Sequence, residues 1–236
     1  MILFYLRHGD PIYNPNTLTP LGELQARALA KRLALYGIDE VYSSPSNRAV
    51  LTAKPTAELV KKEINLVDFA DEAHVWKSLT CERDGGGVTW IFQHPEKRKI
   101  MSGGKMRSLG DRWYDYPGFE KYETGITKVY DDTDSFLKSL GYEHERYTGT
   151  YNAINPSDKR IALFAHEGFG LAFLSCVLDI PYPVFSTHFL LSHSNMTVIE
   201  FPDEDGISIP RILTHSSDSH LYKEGLPTKY NNTLYF

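Results

Sequence analysis

The first apolar run of the chain ends abruptly in an arginine and a histidine. Residues 2–6 are apolar, and Arg7 and His8 follow directly, with no polar residue between. A guanidinium presents a planar pair of donors that suits phosphate oxygens, and a neutral imidazole can act as a nucleophile. These two side chains at the end of a predicted strand indicate phosphoryl chemistry.

Side chains of the same chemical kinds recur further along the chain. His166 ends a second apolar run, residues 160–166. Arg48 falls in the first turn of a predicted helix, where the helix dipole also favours an anion. Glu72 provides a carboxylic acid that can protonate a leaving oxygen. Together with the first pair, these groups suffice for phosphoryl transfer without a metal ion.

The remaining histidines are scattered and show no HExxH motif or other paired-ligand spacing. Spacing of that kind marks most zinc sites in proteins. Cys81 and Cys176 lie in no metal-ligand pattern either, and we expect both to be free thiols. We therefore expect no metal ion and no other cofactor.

The elements that must position these groups alternate between strands and helices. This alternation predicts an α/β fold with a mostly parallel central sheet and helices on both faces. Ligands of such sheets gather at the carboxyl ends of the strands, where Arg7, His8 and His166 would meet. Pro55 is expected to break or kink its helix. The predicted strands are residues 2–6, 39–42, 64–69, 160–166, 195–201 and 207–213.

Four motifs in order resemble the histidine phosphatase superfamily, the phosphoglycerate mutase-like group, in its branch with the acid on a mid-chain loop. They are Arg7-His8-Gly9, LTPLGELQARALAKRL from residue 18, SSPSNRAVLTA from residue 43 and AHEGFG from residue 165. The resemblance covers residues 2–72 closely and 160–201 more loosely. It implies one domain over residues 1–236. Residues 74–120 break the rhythm of strands and helices and match none of these motifs, so we interpret them as an insertion over the active site, an inserted lid region.

The resemblance also implies roles for individual residues. His8 would attack phosphorus and carry a phosphohistidine intermediate, with its other ring nitrogen held by a backbone carbonyl. Glu72 would protonate the leaving alcohol and then activate water. Asp10 is interpreted as structural. The side chains implied to surround the phosphoryl oxygens are Arg7, Asn14, Arg48 and His166.

Two candidates for the acid stay open on the sequence. The family usually shows a glycine and a tryptophan after its mid-chain acid, and here Trp76 is present but the glycine is missing. Glu167 directly follows His166, which is the position of the acid in the other branch of the superfamily. We favour Glu72, with Glu167 as the alternative.

Hydrolysis of a phosphate monoester is the favoured function, and two alternatives remain. A phosphoglycerate-type mutase would need further cations for a second anionic group, and the family's patterns for these are absent from residues 73–120. Six Lys/Arg residues against two acids within 93–112 nevertheless keep that possibility open. A phosphate-binding relative without catalysis is the other alternative. The aromatics and cations of the insertion would either grip the substrate or form a satellite core with solvated lysines.

Composition limits the partners and the location. The net charge of −5 gives no overall basic surface for nucleic acid or an anionic membrane. No apolar stretch approaches the roughly 20 residues that span a bilayer, and the apolar start is too short for a signal peptide. We therefore expect a cytoplasmic protein that binds a small phosphorylated metabolite. The sequence does not indicate an oligomeric state.

Overall fold

The central sheet of the computed structural model has six strands, and the structure describes residues 1–228 and 230. The strands along the chain are β1 (Ile2–Arg7), β2 (Pro11–Ile12), β3 (Thr17–Leu18), β4 (Glu40–Ser43), β5 (Ile64–Leu66), β6 (Thr80–Glu82), β7 (Val88–Trp90), β8 (Tyr142–Glu145), β9 (Thr150–Ala153), β10 (Arg160–Ala165), β11 (Met196–Glu200), β12 (Ile207–Ser208) and β13 (Arg211–Ser217). The order in the sheet is β13-β11-β1-β10-β4-β5.

Helices cover both faces of this sheet. They are α1 (Pro20–Tyr36), α2 (Asn47–Val60), α3 (Glu72–Ser78), α4 (Pro95–Met101), α5 (Gly104–Leu109), α6 (Glu123–Ser139), α7 (Glu167–Val177), α8 (Tyr182–His188) and α9 (Ser219–Lys223). Short 3₁₀ helices occupy Asp68–Ala70, Gly110–Asp115 and Glu120–Tyr122. No helix in the described part of the chain is both long and apolar enough to cross a membrane.

Four neighbouring strands, β1, β10, β4 and β5, run parallel, while β11 and β13 extend the sheet in antiparallel fashion. The predicted α/β fold with a mostly parallel sheet is therefore confirmed. The strand predicted over 64–69 stops at Leu66, because residues 68–70 turn into a 3₁₀ helix. The strand predicted over 207–213 is displaced: Ile207–Ser208 pairs with β9 in a separate sheet, and β13 begins only at Arg211.

Strand β1 is apolar throughout because both of its faces are buried. Leu3 and Tyr5 belong to the core beneath α6 and α7, whereas Phe4 and Leu6 belong to the core beneath α1 and α2. Neighbouring side chains of a strand point to opposite faces, so one strand contributes to both cores. The run therefore fixes β1 at the centre of the sheet and delivers its carboxyl end to a fixed place.

The start of α1 packs directly on the loop that follows β1. Thr19 caps the helix, because its Oγ1 accepts a hydrogen bond from the amide of Gly22 at 3.0 Å, and Pro20 occupies the first helical position. A Cβ atom on Gly9 would lie 2.7 Å from the carbonyl oxygen of Gly22. The two backbones therefore touch, and only glycine at position 9 permits this approach.

Of the break or kink predicted at Pro55, the break does not occur, because helix α2 continues to Val60. Ala53 and Ala57, on either side of the proline, are buried in the core against the sheet. Packing of this face therefore outweighs the loss of one backbone hydrogen bond.

A buried charged cluster joins α6 to β8 and the end of α7. The His144 ring lies between two carboxylates, 2.8 Å from Asp134 and 3.2 Å from Asp179, and stacks on Tyr151 at 4.1 Å. Arg146 binds the same Asp134. Burial lowers the pKa of His144, but the two carboxylates outweigh this effect and raise the pKa to about 9. The ring is therefore an imidazolium at neutral pH and ties the three elements together. Cys81 and Cys176 are free and buried, as predicted.

We predict that His144→Gln destabilises the protein in a pH-dependent way. The folded pKa lies above the unfolded value of 6.5, so the stabilisation is complete below that value and is lost as pH rises through about 9. The free energy of unfolding should fall by on the order of 2–3 kcal/mol at pH 6. The difference from wild type should be much smaller at pH 10, as measured by urea denaturation. His74→Gln removes an exposed ion pair with Asp68 and is the control, with little effect at either pH. A deficit that is the same at both pH values would contradict the role of the imidazolium.

Candidate active site

The floor of the site is a pair of histidines at the ends of neighbouring strands. Strands β1 and β10 pair in parallel with Arg7 opposite Ala165, so the next residue of each strand enters the same edge. These residues are His8 and His166, and their ring centroids lie 5.2 Å apart. Both side chains are buried. The sheet register therefore brings together two imidazoles that are 158 positions apart in the chain.

The protonation of His8 follows from its hydrogen bonds. Nδ1 lies 2.7 Å from the carbonyl oxygen of Gly9, which can only accept, so Nδ1 carries the proton and Nε2 carries the lone pair. Burial first, and then the charges of His166, Arg7 and Arg48, hold the pKa of His8 well below 6.5. The Nε2 atom of His8 therefore carries a lone pair that is available to act as a nucleophile.

Arg48, in the first turn of α2, lies over this nucleophile. Its Nε donates to Nε2 of His8 at 3.2 Å, and its Nη2 donates to Glu72 at 2.8 Å. Its Nη1 donates to Asn16 and to Ser46, at 3.2 and 3.1 Å. One guanidinium thus connects the histidine with the carboxylic acid.

Glu72 stands at the start of α3, beside both histidines. One of its oxygens accepts from the amide of Gly168 at 3.0 Å, and the other lies 3.7 Å from Nδ1 of His166. Burial raises the pKa of Glu72, and this effect exceeds the opposing effects of Arg48, Arg7 and the amide. A carboxyl group with a raised pKa can hold a proton and release it to a leaving oxygen.

Arg7 forms the opposite wall with Glu167. Its Nη1 lies 3.1 Å from the Glu167 carboxylate and donates to the carbonyl oxygen of Leu191, and its Nη2 lies 2.8 Å from Nε2 of His193. Both members of the ion pair are buried. Glu167 therefore balances the charge of Arg7, whereas Glu72 lies beside the nucleophile.

Two residues of the site were missed by the motifs. The His193 ring lies 5.6 Å from the His8 ring, and Asn16 hydrogen-bonds to Arg48. His193 precedes the antiparallel strand β11, and no spacing in the sequence connects it with β1. Asn14, the predicted phosphate ligand in this loop, is exposed and does not line the cavity, whereas Asn16 does. Asp10 accepts a hydrogen bond from Thr19 at 2.8 Å, at the start of α1.

Two buried donors in the pocket have no hydrogen-bond partner among the described residues. They are Nε of Arg7 and Nδ1 of His166. Unsatisfied buried polar atoms are costly, and an oxyanion bound beside either atom would give it a partner. Ligand atoms of His8, Glu72 and His166 also lie within 4.8 Å of one another, as in a metal site. Arg48, however, bonds to two of these three, so the arrangement suits an anion better than a cation.

A cavity of 1290 Å³ opens above this pocket. Arg7, Arg48 and Glu72 line it beside the two histidines, and we call this part the near wall. We call the rest of the lining the far wall, which comes from α3 after Glu72, the β6–β7 hairpin, α4 and the end of α8. Residues from 76 to 98, which matched no motif, thus contribute side chains to the cavity. The site combines a buried nucleophile, guanidinium groups, a carboxylic acid and space for a substrate.

Comparison with known sequences agrees with this geometry. Residues 3–116 match the family model of the histidine phosphatase superfamily, branch 1. A Hydrogenobacter thermophilus protein provisionally named phosphoserine phosphatase 2 is 30% identical over 127 residues, which span 47% of this chain and 62% of that protein. Phosphoserine phosphatase 1 of the same bacterium is 25% identical over 159 residues, 62% of this chain and 67% of that protein.

Solved structures share the fold over nearly the whole chain. A phosphoserine phosphatase mutant from Entamoeba histolytica, in complex with phosphoserine, superposes with a TM-score of 0.59 at 19% identity, covering 93% of this chain and 98% of that one. A mycobacterial glucosyl-3-phosphoglycerate phosphatase gives a TM-score of 0.59 at 19% identity, covering 92% and 99%. These structures confirm the predicted fold, and the resemblance inferred from the motifs is confirmed by the family-model match over residues 3–116.

Gly168 lies between Trp90 of the far wall and the carboxylate of Glu72, so a side chain at this position should destabilise the protein. A Cβ atom there would lie 2.4 Å from the Trp90 ring, while the Gly168 amide holds Glu72. We predict that Gly168→Ala lowers the free energy of unfolding by about 1–3 kcal/mol, because neither neighbour can move freely. Urea denaturation measures this, with the tryptophan fluorescence as a second signal. Gly104→Ala, on α5 with open space around it, is the matched control and should be neutral or stabilising. If the two variants were equally stable, the contact between the Trp90 ring and Gly168 would not constrain the structure.

Proposed function

We propose that this chain, which matches the model of the histidine phosphatase superfamily over residues 3–116, hydrolyses a phosphate monoester of a small metabolite through a phosphohistidine on His8. One observation carries the proposal: the lone pair of a neutral, buried His8 faces Arg48, beside two unsatisfied donors. The names of the relatives, which are phosphoserine and glucosyl-3-phosphoglycerate phosphatases, support the substrate class.

Binding of the phosphate would first rearrange the hydrogen bonds of Arg48. The guanidinium now covers Nε2 of His8, and phosphate oxygens would accept its donors instead. Nε of Arg7 and Nδ1 of His166 would complete the clamp, since both lack partners among the described residues. Positive groups that are already in place stabilise the charge of the transition state without reorganisation.

Two displacements would then follow. Nε2 of His8 forms a bond to phosphorus as the bond from phosphorus to the leaving oxygen breaks, and the carboxyl of Glu72 gives its proton to that oxygen. Water next attacks the phosphohistidine and gives a proton to the Glu72 carboxylate, while the nitrogen–phosphorus bond breaks. Inorganic phosphate is released, and both residues return to their starting protonation states. We assign the acid to Glu72 over Glu167 because the Arg48 guanidinium bonds to both Glu72 and Nε2 of His8, whereas Glu167 pairs with Arg7 on the opposite wall.

The proposed step needs no metal ion, and this can be tested directly. We predict that the protein hydrolyses 4-nitrophenyl phosphate at pH 6 in excess EDTA, and that His8→Asn lowers kcat by at least about 10³-fold. The phosphorylated intermediate should be acid-labile and absent from the variant. His74→Asn, an exposed histidine outside the pocket, is the control. Loss of activity in EDTA that is restored by a divalent cation would refute the mechanism.

The role of Glu72 predicts a dependence on the leaving group. Glu72→Gln should lower kcat/KM for an alkyl ester such as phosphoserine by about 10²–10⁴-fold. The loss should be much smaller for 4-nitrophenyl phosphate, whose leaving group needs no proton. Asp71→Asn, the adjacent carboxylate that caps α3, is the matched control.

The same variant should change the pH profile. The rate needs a neutral His8, whose pKa lies well below 6.5, and a protonated Glu72, whose pKa is raised above 4.5. Wild-type kcat/KM for phosphoserine should therefore persist into acidic solution and decline on the alkaline side as Glu72 loses its proton. Glu72→Gln should lack that decline. An unchanged alkaline limb in the variant would exclude Glu72 as the acid.

A further inference from the structure

The cavity above the pocket is much larger than a phosphate group and a three-carbon acid require. Its 1290 Å³ exceeds the roughly 300–1,000 Å³ typical of pockets for larger ligands. The phosphate pocket occupies only the near wall, where Arg7, Arg48 and Glu72 lie. The far wall is therefore available to the leaving group of the substrate.

Aromatic rings are exposed inside this cavity. Tyr13, Trp76 and Phe189 line it, with 66%, 39% and 41% of their surfaces exposed. Trp76 is not a loose surface residue, because it packs edge-on against the buried Trp90 at 4.8 Å, and Trp90 stacks on Phe92 at 5.7 Å. A supported layer of rings in a concave wall can stack on a planar group.

Arg98 brings an unbalanced charge to the same wall. Its Nη2 donates to the carbonyl oxygen of Thr187 at 3.0 Å, and among the described residues no carboxylate lies within ion-pair distance of it. His94 lies one turn earlier on the same helical face, since the Arg98 amide donates to its carbonyl oxygen. The His94 side chain is 7% exposed, and its Nδ1 has no hydrogen-bond partner in the described chain. A guanidinium and an unsatisfied imidazole nitrogen on one face suit an anion.

Two other cations of the basic stretch 93–112 are engaged elsewhere. Lys97 lies over the Phe119 ring at 4.8 Å, and Arg112 pairs with Asp115 at 2.8 Å. Of the six lysines and arginines in this stretch, Arg98 is the one that lines the described cavity. The positive charge of this basic stretch thus reaches the cavity at one position on α4.

We propose that the substrate is a phosphate monoester whose leaving group carries an aromatic ring and, beyond the ring, a second anionic group. The inference rests on the proposed function and names its substrate class. The phosphate lies at His8, the ring stacks on the wall around Trp76, and the second anion binds Arg98 and His94. Arg83 and Asp84 also line this wall with opposite charges, so they leave its charge balance unchanged.

A matched pair of esters tests the second anion. Tolyl phosphate (4-methylphenyl phosphate) and 4-(carboxymethyl)phenyl phosphate differ by one carboxylate, while their phenols have nearly equal basicity, so the chemical step is the same. We expect kcat/KM to be at least 10-fold higher for the carboxylate ester in the wild type. Arg98→Met should abolish this preference and leave the tolyl ester unaffected. Lys99→Met removes the same charge from the same helix, outside the cavity, and should retain the preference.

A second variant tests the aromatic wall. Trp76→Ala should raise KM for both aryl esters by about 10-fold, because stacking is lost, and leave KM for phosphoserine unchanged. Tyr222→Ala, an exposed aromatic on α9 that does not line the cavity, is the control. An equal rise in KM for phosphoserine would mean that Trp76 only supports the pocket, and would overturn its role in binding a ring.

The two proposals fail in distinguishable ways. Hydrolysis of both aryl esters at equal kcat/KM, or a preference that survives Arg98→Met, would overturn the second-anion site and leave the phosphatase intact. If the wild type hydrolysed no ester and formed no phosphohistidine, both proposals would fall. The substrate class would be established if Arg98→Met, but not Lys99→Met, abolished the preference for the carboxylate ester. Trp76→Ala would also have to raise KM for the aryl esters and not for phosphoserine.

Discussion

The parallel pairing of β1 with β10 is the constraint on which the site depends. Each strand ends in a histidine, and the register leaves those two residues side by side at one edge of the sheet. The pairing is in turn fixed by burial of β1 on both faces, since a shift of one residue would exchange the two cores. A shift in the register of β10 against β1 would separate His8 from His166 even if every loop kept its conformation.

Burial at this edge sets the protonation states in opposite directions. It lowers the pKa of His8 and His166 and raises that of Glu72, so the imidazoles are biased toward neutrality and the carboxyl group toward holding a proton. The guanidinium groups oppose the effect on the acid but reinforce it on the histidines. Two kinds of group with displaced pKa values in one pocket are what acid–base catalysis near neutral pH requires. The pair Arg7–Glu167 keeps the buried charge of Arg7 balanced until an anion arrives.

Local motifs made part of this site predictable and left another part hidden. Arg7, His8, Arg48 and His166 were found because each follows a recognisable strand or starts a helix. His193 and Asn16 were not, because long-range packing alone brings them to Arg7 and Arg48. The strand predicted over 207–213 was misplaced for a similar reason, because Ile207 and Ser208 pair with β9, which is distant in the sequence. The six lysines and arginines within 93–112 also suggest more positive charge in the site than the structure places there, because Arg98 is the one of them that lines the described cavity.

The β6–β7 hairpin divides into a fixed base and a free tip. Trp90 at its base is locked against Gly168, whose amide holds Glu72. At its tip, Gly85, Gly86 and Gly87 have positive φ angles and nothing within 4 Å of where a side chain would begin. Loops of other lengths can therefore be grafted at the tip while the acid keeps its position, which makes this hairpin a natural point for altering selectivity without rebuilding the reaction centre.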